Sequence, residues 1–148
     1  MPYMPALTSD FVSNATTASN ESVTGMSFPV AAGRMYWFRM HVPMTVAATT
    51  TGVELAVDVP TTPTFMAVNA SVPSIAAVGT DNVSTGTVTD DAGPVATDTA
   101  VAAGTYGWVE GYCRPSVAGE IQLRVDTDAA AAVTIKAGAF VEFRDLGV

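Results

Sequence analysis

The chain is poor in the residues from which most enzyme sites are built: among 148 residues it has one cysteine, one histidine and one lysine. With Cys113 alone, no intrachain disulfide or multi-thiolate zinc site can form. Cys113 lies in the apolar run Trp108–Arg114, where it reads as a buried, inert thiol. His41 alone excludes a metal centre that takes two histidines from one chain. A Ser-His-Asp triad would have to use His41, yet no serine stands in a G-x-S-x-G elbow. The glycine motifs that cradle phosphates are missing as well. Two acidic pairs, Asp90 with Asp91 and Asp126 with Asp128, sit beside turns, where aspartate commonly bonds local backbone. The Asp126–Asp128 spacing is too short to specify a calcium loop. The sequence therefore predicts no enzyme, no metal and no cofactor.

Charge is also scarce. Charged residues make up 14% of the chain, six basic against fourteen acidic, for a net charge of −8. Nucleic-acid binding needs clustered cations to displace counterions from phosphate, and Arg34, Arg39, Arg114, Arg124, Lys136 and Arg144 fall singly. An anionic membrane surface is disfavoured for the same reason. No run approaches the roughly 18–20 apolar residues of a spanning helix. The start, MPYMPALTSD, has neither the basic residues nor the apolar run of a signal peptide. The sequons at Asn14, Asn20, Asn69 and Asn82 accordingly read as chance matches.

What is abundant is alternation. Tyr36, Phe38, Met40 and Val42 are interleaved with Trp37, Arg39 and His41; Val53, Leu55 and Val57 with Glu54, Ala56 and Asp58. Ile121, Leu123 and Val125 alternate with Gln122, Arg124 and Asp126, and Val141 and Phe143 with Glu142 and Arg144. Successive strand side chains face opposite ways, so each run offers one apolar and one polar face, as in antiparallel sheets laid on a core. Gly25, Gly33, Gly52, Gly104, Gly119 and Gly138 fall between the runs, and Pro29, Pro43, Pro60 and Pro115 are expected to bound strands. The alanines of Ala129–Ala132 favour helix by propensity but stand between alternating runs, so a hairpin connection is expected there. At 49% hydrophobic the chain can fill one core. These features predict an all-β, antiparallel jelly-roll sandwich of about eight strands. Its surface, rich in Thr, Ser and Ala, suits contact with other protein.

Two segments stand apart. Residues 1–14 form a candidate extended arm, with Pro2, Tyr3, Met4, Pro5, Leu7 and Phe11, ahead of a jelly-roll domain at 15–148. The arm can lie on a neighbouring molecule or act as a terminal strand over its own barrel; the residues leave both open. Residues 79–105 carry few large side chains and read as a long loop or a loose strand pair at an edge. Among the aromatics, Trp37 stands on the polar side of its strand with Arg39 and His41. An amphipathic aromatic beside arginine has the make-up of a contact patch, so these three are the candidate subunit interface.

Four stretches in order carry a resemblance: VTGMSFPVAAGRMYWFRMHVP (23–43), TTTGVELAVDVP (49–60), YGWVEGYCRPSVAGEIQLRV (106–125) and VTIKAGAFVEFRDL (133–146). Their turn glycines and aromatic strand resemble a family of small phage-encoded proteins with a C1q/TNF-like jelly roll. The resemblance implies a homotrimer on the outside of a tailed-phage particle, either a capsid decoration (cement) protein or a domain of a head or tail fibre. It carries no catalytic motif. The chain lacks a fibre shaft, and its apolar arm suits a clamp on a capsid. The expected function is thus that of a decoration protein that binds the major capsid protein on the outer head surface and strengthens contacts between capsomers. A receptor- or carbohydrate-binding module is the alternative.

Overall fold

The structure, a computed structural model, describes residues 4–14, 20–47, 52–77, 80–88, 104–127 and 131–148. Each alternating run becomes a strand. In chain order these are β1 (Phe11–Val12), β2 (Glu21–Val30), β3 (Met35–Val46), β4 (Val53–Asp58) and β5 (Phe65–Ala77). They continue as β6 (Thr80–Val88), β7 (Thr105–Arg114), β8 (Gly119–Thr127), β9 (Val133–Ile135) and β10 (Phe140–Gly147). Eight have six residues or more; β1 and β9 are short. The larger sheet runs β1-β9-β3-β7-β5-β6, with β10 also on β3, and the smaller runs β2-β8-β4. Every described pairing is antiparallel. No helix occurs among the described residues. This is the all-β, jelly-roll-like sandwich that the alternation predicts.

The core lies between the sheets. From β3, Tyr36, Phe38, Met40, Val42 and Met44 point inward, none more than 4% exposed. The smaller sheet answers with Val23, Met26, Phe28, Leu55, Ile121, Leu123 and Val125, and the lone Cys113 is buried with them. Phe28 joins the layers: its ring stacks on Phe143 at 4.4 Å and meets Phe38 at 5.5 Å. Each large apolar side chain so buried contributes about 1.5–3 kcal/mol, against about 0–1 kcal/mol for an exposed ion pair. Apolar burial, not charge pairing, holds the sheets together.

Pro43 does not bound a strand; it stands inside β3, opposite Tyr106. The reason lies in its neighbours. β10 pairs with Met35–His41 and β9 with Met44–Val46, so Pro43 faces the turn between them. Its carbonyl accepts from the Lys136 N–H at 2.9 Å, and on that side no ladder partner asks for an amide proton. Gly25 also lies within a strand, at a bulge in β2, with φ of 91°. The segment Ala129–Ala132 is no hairpin connection. β8 belongs to the smaller sheet while β9 pairs with β1 and β3, so this link crosses between sheets; residues 128–130 lie outside the described ones. Within 79–105, residues 80–88 form β6, the edge strand paired with β5, and 89–103 lie outside the described residues.

Residues 5–13 pair with the chain's own large sheet, the second placement the sequence leaves open. Leu7 exchanges backbone bonds with Gly138 and Ala139, and the Val141 N–H donates to the Pro5 carbonyl. Phe11 and Val12 pair with Ile135 and Thr134, and the Ser13 N–H donates to Val133. Leu7 is buried, packed on the bulge at Gly25, where a Cβ would come 3.1 Å from its Cδ2. The Asp10 carboxylate fastens the strand by pairing with the Lys136 ammonium and accepting from the Ala137 N–H at 2.7 Å.

Two outcomes are expected. A Cβ at Gly111 would lie 2.3 Å from the Ala67 carbonyl oxygen and 2.6 Å from the Val68 Cα, both backbone atoms that cannot step aside. Gly111→Ala should therefore cost about 2–3 kcal/mol in denaturant unfolding at unchanged m-value; a cost under about 0.5 kcal/mol would refute this packing. Folding lowers the Asp10 pKa, chiefly through the Lys136 bond. A carboxyl lowered in this way stabilises the fold above its unfolded pKa, near 3.8, and the gain is lost as pH falls through the folded value. Amide protection at Leu7 and Ser13 should drop once pH falls below that range, and Asp10→Asn should remove this step. An identical profile in the variant would rule out Asp10 as the fastening.

Candidate functional site

The outward side chains of the large sheet form three cross-strand rows. Arg144, Trp37, Tyr112 and Ala67 are register partners across β10, β3, β7 and β5. The next row is Glu142, Arg39, Glu110 and Asn69, and the third is Phe140, His41, Trp108 and Ser71. Tyr106 stands opposite Pro43 beyond them. A charged row is thus flanked by two aromatic ones. The structure brings the predicted interface residues Trp37, Arg39 and His41 together on this face, each half-buried by its neighbours.

The contacts explain why they hold still. The Arg39 Nε is 3.6 Å from Glu110 Oε2, and its guanidinium lies 5.5 Å from the centre of the Trp108 ring, a cation–π distance. The Trp37 Nε1–H donates to Glu110 Oε1 at 3.4 Å. His41 stacks flat on Phe140, with centroids 4.1 Å apart and planes 10° apart. Its Nδ1 shares a hydrogen bond with the Tyr106 hydroxyl, and its Nε2 is 3.5 Å from Glu142 Oε2. Beyond the rows, Arg34 binds Asp145 at 2.6 Å. That bond holds the Asp145 carboxyl below its usual range and the Arg34 guanidinium above its own.

Two features distinguish this face. Tyr106, Tyr112 and Leu146 are 44%, 45% and 53% exposed, a concentration of large apolar area that nothing among the described residues covers. The rows also carry two cations, Arg39 and Arg144, against two anions, Glu110 and Glu142, so they are neutral on a chain of −8. Two hollows open here: one of about 340 Å³ lined by Trp37, Tyr112, Arg144 and Leu146, and one of about 410 Å³ lined by Ala67, Asn69, Trp108, Glu110, Gly111 and Tyr112. Among the described residues, no group of three or more His, Cys, Asp or Glu side chains is placed to hold a metal ion.

The candidate arm residues divide. Leu7 is buried, Pro5 and Phe11 are half-buried against the sheet, and Met4 is exposed; Pro2 and Tyr3 lie outside the described residues. Sequence reasoning missed Tyr106, Trp108 and Tyr112 as members of the outer face. The signal was present, since Glu110 shares their parity while Gly107, Val109, Gly111 and Cys113 occupy the other. The buried side of β7 is thus the small one, an inversion of the usual size pattern.

No family model matches the chain, and no curated protein matches it. Among solved structures, one described as "Structure of infectious bursal disease virus Gx strain" is similar at 15% identity, with a TM-score of 0.31. The match covers 99% of this chain, which spans 40% of the length of that one. At this identity and TM-score the likeness supplies no functional assignment.

Proposed function

We propose that this chain is a non-enzymatic structural subunit of a virus particle, a capsid decoration protein that binds the outer surface of a tailed-phage head. The observation that carries the proposal is the outer face of the large sheet, aromatic and neutral on an acidic chain. Like-charged copies repel, so a face without net charge is where a second copy can approach at least cost. Trp37, Arg39 and His41, with Arg144 and Leu146 beside them, form the docking half of the face, and copies meet there as a homotrimer. Support for the virion setting comes from the resemblance of residues 23–43, 49–60, 106–125 and 133–146 to phage jelly-roll proteins. Capsid attachment uses the N-terminal strand. β1 ends the sheet order, and Val12 is 60% exposed, so its outer edge can add a strand from the major capsid protein. Interfaces of about 800 Å² per partner, repeated over a shell, resist prising of capsomers without any single strong bond.

Sedimentation of the purified protein should show a species of three times 15.2 kDa. Trp37→Ala and the exposed Arg144→Glu should each weaken the assembly on the order of tenfold or more with the fold intact by circular dichroism. Immunogold labelling of virions should cover the head in many copies. A protein that stays monomeric at every concentration would remove the docking face, and label confined to the tail would remove the decoration role.

A further inference from the structure

The larger hollow lies on the β5–β7 half of the face and has a character of its own. Trp108 and Tyr112, four residues apart on β7, wall its two ends, at a separation of roughly 14 Å along the strand. On β5 the lining is small where Ala67 stands opposite Tyr112. The polar lining is a pair of register partners, Glu110 on β7 and Asn69 on β5. Its volume of about 410 Å³ falls within the roughly 300–1,000 Å³ usual for small-molecule sites.

We infer that this hollow is a binding site for a neutral saccharide, with a pyranose ring laid against Tyr112 or Trp108 and its hydroxyls turned to Glu110 and Asn69. The inference goes beyond the structural role proposed above and does not depend on it. A sugar ring has an apolar face of C–H bonds and an edge of hydroxyls that both donate and accept. The aromatic walls suit the first. The second needs acceptors and donors side by side, and here a carboxylate that only accepts stands beside an amide that does both.

Glu110 is prepared for this task. The Trp37 Nε1–H and the Arg39 guanidinium, both from β3, hold its carboxylate in place, so a ligand need not order it. Arg39 is not among the lining residues, and it steadies Trp108 by lying against that ring. Charge selects among sugars. A carboxylate in the lining, on a chain of −8, repels sialylated, sulfated and phosphorylated glycans. An apolar side chain from another protein is also a poor occupant, because it would leave Glu110 and Asn69 desolvated without partners.

The test is titration of the full chain with lactose, maltose, cellobiose and chitobiose, and with 3′-sialyllactose for comparison, followed by tryptophan fluorescence and saturation-transfer NMR. At least one neutral disaccharide should bind, and sialyllactose should bind less well than lactose. Asn69→Ala removes the amide, and Ala67→Leu fills the hollow. Both positions are exposed, so the fold is retained, and each variant should weaken binding about tenfold or more. Neither touches Trp37 or Arg144, so sedimentation of the same variants reads the docking half separately. Silence with all four neutral sugars, or binding unchanged in both variants, overturns the site. Loss of self-association in Ala67→Leu without any sugar binding also overturns it, and assigns the hollow to a second copy.

Discussion

Strand β3 is the constraint on which both faces of the molecule depend. Its twelve residues pair with β7 along one side and with β10 and then β9 along the other. Because strand side chains alternate strictly, Phe38 and Met40 can enter the core only if Trp37, Arg39 and His41 leave it. A slip of one residue would put the aromatic ring of Phe38 in water and the guanidinium of Arg39 in the core, so the register is strongly defended. The outer face therefore inherits its precision from the inner one. Packing around Phe28, Phe38 and Phe143 sets where the Trp37 indole stands, although none of the three is on the outer face.

Electrostatics then shape what the outer face can meet. Fourteen acidic residues against six basic ones would make most surfaces of this chain repel their own copies. The rows across β10, β3 and β7 escape this by setting Glu142 and Glu110 on either side of Arg39 with Arg144 in the next row. Each partner is part-exposed, so these pairs add little to stability. Their effect is on geometry and on approach. Arg39 orders Glu110 and Trp108 together, and the aromatic side chains on either side are left at the surface of rows that together carry no net charge to hold a partner off.

Much of this was legible in the residues. Parity along Tyr36–Val42 and Ile121–Asp126 gives the buried set directly, because burial and alternation are two expressions of one backbone geometry, whereas in Val53–Asp58 the small Ala56 is buried against its parity. The grouping of Trp37, Arg39 and His41 followed from the same rule. What escaped were features decided by partners distant in sequence. Pro43 sits in mid-strand because two different strands share one edge of β3, and no local pattern records where β9 gives way to β10. The crossing of Ala129–Ala132 between sheets is likewise a matter of topology. Tyr106, Trp108 and Tyr112 were harder to place for another reason. On β7 the residues of larger volume face out and the glycines face in, so size points one way and the charge of Glu110 the other.

The stitching of residues 5–13 to 133–141 has a consequence for how the molecule is made. β1 has its partners more than a hundred residues later, and β2 on β8 and β3 on β10 are likewise remote pairings. Loop-closure entropy must be met before such remote pairings give anything back, which makes the topology slow to form. Until β9 and β10 have been made, β1 has no strand to pair with and the sheet cannot close on β3. Closure of the large sheet therefore waits for β9 and β10, and in the interval the apolar Leu7 and the open bulge at Gly25 are the surfaces a chaperone would have to shield.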